Sequence, residues 1–425
     1  MNSINKYPIP IISGFYGWRI VALMLGPRTA GNGVYILGNT LFVIPLEESM
    51  GLGRSVSSLM FALGGVIGGI TAPISGILMD RWGPRRVLIV SVLIGCLGYF
   101  LLSLAPNIFV LFIVFLGPIS LVMLNVAFNA SSGIINNWFD KYKSTAFSLM
   151  QGGSGLGSLL IIALLAYSID NWGWRIASLI AAVLVLIVGL PTAYASKNTP
   201  EELGLRPDGV RKPSDSSNQN LTGSYREYSM ELEGMSTRQA TKTIGFWMLA
   251  ISSTIFGGAI ATLGIHFVPI MVWKGLSEVQ GAWMLTCLAL GSAFTVVIVG
   301  TMADRYGRLK ISSLACIFLG LAIFCLRIEG TGISLWFAVI ILSASSCLYP
   351  LTWSIVGELF GRKSYSTIRG YMMAVQSFGT LTMPLIAGYY YDETSDYALT
   401  LSVLGALWFI AAVLLFITPR KSRGY

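Results

Sequence analysis

The chain has 425 residues, of which 54% are hydrophobic and 11% are charged. Water-soluble globular domains carry about a quarter charged residues, so this composition excludes an ordinary soluble protein. The formal net charge of +9 would suit a nucleic-acid-binding protein if the basic residues formed one patch, but they lie scattered between long apolar segments, which excludes a nucleic-acid partner.

The apolar segments predict an all-α membrane protein with twelve transmembrane helices. Each segment approaches the ~20 residues that a helix needs to cross ~30 Å of hydrocarbon. The predicted spans are, in order, residues 16–45, 56–79, 87–104, 108–135, 146–168, 175–194, 244–270, 279–303, 311–326, 335–358, 370–391 and 398–418. No short apolar core with a small-residue cleavage site precedes span 1, so we expect span 1 to remain and to act as its own insertion signal.

Lysines and arginines between the spans concentrate on one side of the predicted membrane. The opposite side holds only Arg54, Arg175, Lys274 and Arg327. By the positive-inside rule, this asymmetry predicts a multi-pass protein of the cytoplasmic membrane with both termini in the cytoplasm. Most of the basic excess therefore sets the topology, and contact with anionic lipid of the bilayer is its secondary role.

Span 1 contains a charge deep in the predicted membrane. Arg28 follows Trp18 by ten residues, which is ~15 Å along a helix and near the midplane. An unpaired charge there costs at least ~2.5 to 3.5 kcal/mol, and no Asp or Glu lies at comparable depth in the predicted spans. An anionic ligand is therefore the predicted partner of Arg28. The alternative is a set of backbone carbonyls opened by Gly31 and Gly33.

Polar residues repeat at helical spacing in several spans. In span 1, Asn32, Tyr35 and Asn39 follow Arg28 at offsets that place all four on one face. Such stripes either line a cavity or hold membrane helices together through hydrogen bonds, and Tyr and Trp also anchor spans at the interface. The stripes in the other spans are Asn125, Asn129 and Ser132 in span 4, Gln151, Ser154 and Ser158 in span 5, Tyr349 and Trp353 in span 10, and Gln376 in span 11.

His266 is the only histidine and lies near the outer end of span 7. A histidine pKa of ~6.5 makes it a candidate proton carrier or outer gate, although a hydrogen-bonded structural histidine is the favoured interpretation. The five cysteines show no metal-ligand spacing, so we predict neither a disulfide nor a metal site. No nucleophile and base constellation predicts an enzyme, and no cofactor is expected.

The loops after spans 2 and 8 repeat each other. SGILMDRWGPRR and VGTMADRYGRLK align Asp80 with Asp304, Arg81 with Arg305, Gly83 with Gly307 and Arg86 with Lys310. A tight basic loop at the same place in each set of six spans predicts two pseudo-symmetric six-helix bundles, residues 1–195 and 244–425. A polar cytoplasmic linker, residues 196–243, joins them, and we expect a short surface helix over Ser229–Gln239.

These loops resemble the signature G-x-x-x-D-R-x-G-R-[KR]-[KR] of the major facilitator superfamily, with Pro84 in place of the first basic residue of the triplet. The resemblance implies that Asp80 and Asp304 dock on neighbouring helix N-termini and, with the rest of their loops, form a cytoplasmic gate that latches the outward-open state.

The chain also resembles the monocarboxylate porter branch of that superfamily, including bacterial oxalate/formate exchangers. The similar segments are GFYGWRIV, WFDKYKSTAFSLMQGGSGLG and TPEELGLRPDG, at residues 14–21, 138–157 and 199–209. Span 8 lacks the Asp and Arg pair of animal monocarboxylate carriers, and span 11 lacks the lysine of the oxalate exchanger. The resemblance therefore does not extend to their specific mechanisms.

The sequence as a whole predicts a monomeric secondary transporter that moves a small, monocarboxylate-like organic anion by alternating access. Proton symport is the favoured coupling, and oxalate/formate-like anion exchange is the nearest rival. A drug efflux carrier and a membrane sensor that keeps the fold without transporting are less favoured functions. The predicted substrate ligands are Arg28, Asn32, Tyr35, Asn125, Asn129, Gln151, Tyr349, Trp353 and Gln376.

Overall fold

The computed structural model describes residues 15–51, 53–209, 234–327 and 332–419. Over these ranges, nine helices are long and apolar enough to cross a membrane. One of them, Lys143–Ala195, makes two crossings, because its backbone leaves the helical conformation at Gly173, where φ is 79°. Counting Lys143–Ala195 twice, these nine helices provide ten spans. The interrupted span 1 and the more polar span 11 bring the described chain to twelve spans, which confirms the predicted architecture.

The first six spans comprise an interrupted span 1, three further helical spans, and the pair made by Lys143–Ala195. Span 1 consists of Tyr16–Gly31, Asn32–Leu37 and Asn39–Met50, span 2 of Arg54–Trp82, span 3 of Pro84–Ser103, and span 4 of Ile108–Trp138. The last six spans are Ile244–Trp273, Glu278–Tyr306, Arg308–Arg327, a tenth span built from Ile333–Leu342, Ser343–Cys347 and Leu348–Phe360, then Tyr365–Thr394 and Ala398–Ile417.

Spans 1, 4 and 10 are not regular α-helices. Span 1 contains the π-helical segment Asn32–Leu37, and span 4 contains two such segments, Phe115–Ile119 and Asn125–Asn129. Span 10 contains the 3-10 segment Ser343–Cys347. A break in a membrane span leaves backbone hydrogen-bonding groups available, and in many transporters such breaks lie at the substrate site. The breaks in spans 1, 4 and 10 therefore indicate the region in which to look for a substrate site.

The two sets of six spans pack against each other in an equivalent way. Span 2 packs against span 11, and span 5 packs against span 8. Gly76 lies so close to the backbone of Thr367 that a Cβ would overlap it, and a Cβ at Gly300 would overlap the side chain of Ser148. Glycine therefore permits the close helix contacts on which both interfaces depend.

Span 11 begins earlier than the sequence predicted. The helix starts at Tyr365 rather than at residue 370, so Arg369 lies inside it. The first turn, Tyr-Ser-Thr-Ile-Arg, is too polar to be recognised by hydropathy, but the tertiary structure buries it.

The structure describes only part of the linker, residues 196–209 and 234–243. Of the helix expected over Ser229–Gln239, the first part lies outside the described residues. The described part forms the short helix Thr237–Ala240. A reciprocal capping box of Ser236 and Gln239 stabilises the start of this helix.

Candidate functional site

Arg28 is buried among spans 1, 4 and 5. Its side chain is 5% exposed, it donates a hydrogen bond from Nη2 to the side-chain oxygen of Gln151, and it lies over the ring of Phe128 at 4.8 Å. Its Nε has no partner among the described residues. Arg28 is thus buried as the sequence predicted, and its partner Gln151 belongs to the polar stripe of span 5.

A second buried cation, Arg369 of span 11, was missed by the sequence interpretation. It is 3% exposed, donates from Nη1 to Oδ1 of Asn129 at 2.6 Å, and stacks on the ring of Trp353 at 4.4 Å. Its Nε also lacks a partner in the described part of the chain. The signal that could have found it is the i, i+7 relation to Gln376, which places both on one helix face.

The two arginines form one electropositive centre. Arg28 contacts Phe128 and Arg369 contacts the adjacent Asn129, and the two guanidinium groups lie within electrostatic range of each other. Over the described ranges, neither arginine forms a salt bridge with a carboxylate. Two like charges buried without a counter-ion are unfavourable, so the centre is suited to an anion that enters from outside the protein.

The predicted polar stripe of span 1 does not stay on one face. Asn32, one turn after Arg28, donates to Ser158 of span 5 at 3.1 Å. Beyond it, the π-helical turn changes the helical period. Tyr35 therefore reaches the Gly64 carbonyl of span 2, and Asn39 accepts a hydrogen bond from Tyr99 of span 3.

Asn125 joins helices, whereas Asn129 bonds Arg369. The Asn125 amide lies 3.2 Å from the Ser75 hydroxyl and 3.4 Å from that of Ser91, which links spans 2, 3 and 4. Its Oδ1 accepts from Asn129. The two residues thus form a chain of hydrogen bonds from the helix packing to the arginine centre.

Of the predicted ligands in the last six spans, Trp353 contacts the arginine centre, whereas Tyr349 and Gln376 contact span 7. Trp353 supports Arg369, and Tyr349, one turn away on span 10, packs edge-on against Phe256 of span 7. Gln376 is buried against span 7, where Gly257 leaves room for its amide.

His266 contacts span 11 and the residue that precedes span 12 through its two ring nitrogens. Nδ1 lies 3.0 Å from the Tyr397 hydroxyl, and Nε2 lies 3.1 Å from the Pro384 carbonyl oxygen. These contacts fit the structural role that the sequence interpretation favoured.

We expect His266→Gln to lower the midpoint of thermal unfolding without changing the pH profile of transport. The reason is that both nitrogens already have protein partners, so removing the ring breaks packing rather than a proton path. Thermal unfolding and uptake measured between pH 5 and 8 check this. A profile that becomes flat in the variant would instead assign His266 to proton transfer.

Asp80 and Asp304 each cap a helix of the opposite set of spans. Asp80 accepts hydrogen bonds from the N–H of Ser366 and from the N–H and hydroxyl of Thr367, at 3.1, 2.9 and 2.6 Å. Asp304 makes the equivalent bonds to Ser144 and Thr145, at 3.1, 2.7 and 2.8 Å. These six bonds hold the two sets together at the end of the molecule that carries the repeated loops, which we call the signature-loop end.

The two caps differ in one buried arginine, Arg308, which the sequence interpretation did not select. Its guanidinium bonds Asp304 and Glu358 at 3.0 Å, together with the carbonyl oxygens of Asp140 and Lys141. Pro84 takes the equivalent position in the first loop. The Asp304 cap therefore has an additional network that the Asp80 cap lacks.

The other residues of the two loops do not take part in the caps. Gly83 and Gly307 have φ values of 84° and 103°, which favour glycine at these turns. The side chains of Arg81, Arg86 and Arg305 are exposed.

The first part of the linker, residues 196–209, connects the two sets at this end. Asp208 accepts from the N–H groups of Asp140 and Lys141, at 3.1 and 2.7 Å. Glu201 forms a paired salt bridge with Arg362 of the loop between spans 10 and 11, at 2.9 and 3.0 Å. Partial burial opposes the charge of Glu201, but the hydrogen bonds and charge of Arg362 outweigh it and hold the pKa of Glu201 below its ordinary value.

We expect Glu201→Gln to lower the unfolding midpoint by about 1–3 °C at neutral pH, because it removes a partly exposed salt bridge. A carboxyl with a lowered pKa stabilises the protein fully above its ordinary pKa of 4.5 and loses that effect only as the pH falls further. The difference should therefore stay constant from pH 7 to about 5. Glu202→Gln is the control, since Glu202 bonds its own segment through the Asn198 N–H; an equal effect in both variants would contradict the prediction.

Over the described ranges, no group of three or more His, Cys, Asp or Glu residues is placed to hold a metal ion. The chemistry of the centre is thus that of two guanidinium groups, amides and aromatic rings.

The chain is similar to known proteins both in sequence and in structure. The sequence profile of the Major Facilitator Superfamily matches residues 29–272 and 243–424. Human monocarboxylate transporter 11 is 24% identical over 93% of this chain and 81% of its own length, and monocarboxylate transporter 2 of Mesocricetus auratus is 26% identical over 97% and 85%. The structure of the E. coli fucose:proton symporter FucP superposes with a TM-score of 0.72 at 13% identity, covering 95% of this chain and 98% of FucP.

Proposed function

This chain belongs to the Major Facilitator Superfamily and is a membrane transporter rather than an enzyme, and we propose that it carries a small organic anion across the cytoplasmic membrane by alternating access. The profile matches and relatives named monocarboxylate transporters support secondary transport. Residues 1–195 and 244–425 act as the two rocking bundles, and a monomer suffices, because the proposed site lies between the bundles of one chain.

One observation carries this proposal. Arg28 of the first bundle and Arg369 of the second are both buried, both have an unpartnered Nε, and neither has a carboxylate partner over the described ranges. A carboxylate bound between them would neutralise charge and join the two bundles through charge-assisted hydrogen bonds. Phe128, Asn129, Gln151 and Trp353 hold the guanidinium groups in position.

The caps of Asp80 and Asp304 support an outward-facing state. We place the signature-loop end in the cytoplasm, together with both termini, because the basic loops lie there. With both caps formed, the cytoplasmic end is closed, and breaking them accompanies inward opening.

The charge of the centre favours anion exchange as the coupling, although the sequence favoured proton symport. Symport needs a group that binds and releases a proton during the cycle. No carboxylate bonds the arginines over the described ranges, and both nitrogens of His266 are engaged. A binding site with two positive charges returns to the other side of the membrane most readily when a second anion occupies it. A transporter that needs a bound anion for this return step is an exchanger.

A thermal-shift screen of acetate, lactate, oxalate, malonate and succinate tests the substrate class. We expect at least one of them to raise the unfolding midpoint of the wild type, and uncharged sugars to leave it unchanged. Stabilisation by sugars or organic cations alone would contradict the anion assignment.

Counterflow in proteoliposomes tests the coupling. Uptake of the stabilising carboxylate that requires an internal anion and ignores an imposed pH gradient supports exchange. Uptake that follows the pH gradient without an internal anion supports symport.

A further inference from the structure

A second polar cluster lies at the signature-loop end and takes no part in the arginine centre. Lys143, at the start of span 5, is 2% exposed, and Asn136, near the end of span 4, is fully buried. Both face Gly357 of span 10: a Cβ there would lie 2.8 Å from Nζ of Lys143 and would overlap Oδ1 of Asn136. The cluster thus lies between the two bundles.

Polar groups in this cluster lack partners. Neither the nitrogen nor the oxygen of the Asn136 amide forms a hydrogen bond over the described ranges. Nζ of Lys143 forms no hydrogen bond or salt bridge with a described residue. Asp140 and Asp208 lie within its electrostatic range, but Arg308 and Arg362 oppose them. A buried ammonium beside an unsatisfied amide is costly unless another state or ligand satisfies it.

The cluster lies along the same spans as the arginine centre, nearer to the signature-loop end. Gly357 follows Trp353 by one helical turn, about 6 Å toward the signature-loop end of span 10. Asn136 follows Asn129 by two turns, about 10 Å along span 4. Because Trp353 and Asn129 both contact Arg369, the same faces of spans 10 and 4 lead from the first centre to the second.

We propose that Lys143 and Asn136 form a second anion site, at the cytoplasmic end of the pathway, that holds the substrate carboxylate when the chain faces inward. This inference rests on the proposed function. When the Asp304 cap on Ser144 and Thr145 breaks, the start of span 5 separates from span 10 and exposes the neighbouring Lys143. The ammonium and the amide N–H then donate to the carboxylate, so Lys143 attracts the anion from the cytoplasm and receives it from the arginines.

The test compares the two faces of the membrane. In right-side-out and inside-out vesicles, the half-saturating concentration is measured for whichever of acetate, lactate, oxalate, malonate and succinate gives the largest counterflow. We expect Lys143→Gln to raise this concentration about tenfold or more from the cytoplasmic face and less than twofold from the outer face. Lys143→Arg should retain most of the cytoplasmic-face affinity, which also shows that the position tolerates substitution.

Lys141→Gln is the matched control, because Lys141 is exposed and lies two residues earlier in the same loop. Equal changes from both faces in Lys143→Gln, or equal effects of Lys141→Gln and Lys143→Gln, would assign Lys143 a structural role and overturn the second site while leaving the anion transport intact. Absence of counterflow for every carboxylate in the wild type would overturn the proposed function, and this inference with it.

Discussion

Arg28→Ala and Arg369→Ala should each lower carboxylate uptake by at least about 100-fold and abolish the thermal shift that the carboxylate produces. Each variant removes one of two charges that the bound anion neutralises, and it leaves the remaining arginine to bind alone. Loss of one partner of a buried charge pair costs about 3–5 kcal/mol, which corresponds to a factor above 100 in affinity. Initial uptake rates and thermal shifts measure the two effects.

Arg19→Ala is the control for Arg28→Ala, since Arg19 lies on the same helix but is exposed. We expect it to retain wild-type uptake. Lysine at either position keeps the charge but loses the planar fork, so an intermediate activity is expected. If Arg28→Ala and Arg369→Ala bind carboxylates as the wild type does, the arginine centre is not the substrate site.

Asp304→Asn should shift the population from the outward-facing to the inward-facing state by about 10- to 100-fold. The substitution weakens three hydrogen bonds at the start of span 5 and removes the buried counter-ion of Arg308. Charge-assisted hydrogen bonds of this kind contribute about 1.5–3 kcal/mol each, although the amide retains part of this. The readout is the distance between spin labels at positions 86 and 310, both exposed at the signature-loop end, in a variant without the native cysteines.

Asp80→Asn provides the comparison within the same chain. Its cap has the same three bonds, but Pro84 stands where the other loop has Arg308. We therefore expect a smaller shift for Asp80→Asn than for Asp304→Asn. Label distances that stay at the wild-type value in both variants would show that the caps do not hold the closed state.

The sequence predicted the fold well because hydropathy and repeated loops are local signals. Apolar segments of sufficient length gave the spans, and the alignment of Asp80 with Asp304 gave the repeated loops. Arg28 was found because it stands alone within an apolar segment. Gln151, which accepts a hydrogen bond from Arg28 in the structure, was selected only as one of the polar residues that recur at helical spacing on span 5.

Arg369 was missed because its burial depends on residues far away in the chain. It follows a loop that contains Arg362 and Lys363, so hydropathy places it at the membrane edge. The structure buries it because span 2 packs closely on the start of span 11, where a Cβ at Gly76 would overlap the Thr367 backbone. The stripe of span 1 failed for a related reason: a π-helical turn, which the residue spacing does not reveal, redirects Tyr35 and Asn39.

The sequence by itself determined the number of spans, the repeated loops and the presence of one buried cation, because membrane insertion is governed by the composition of each segment. Only the tertiary structure decided which charges meet. It brought Arg369 within electrostatic range of Arg28, placed each aspartate on a helix of the opposite set of spans, and left the Asn136 amide without a hydrogen-bond partner among the described residues. These contacts join residues more than a hundred positions apart, and helix packing rather than local pattern determines them.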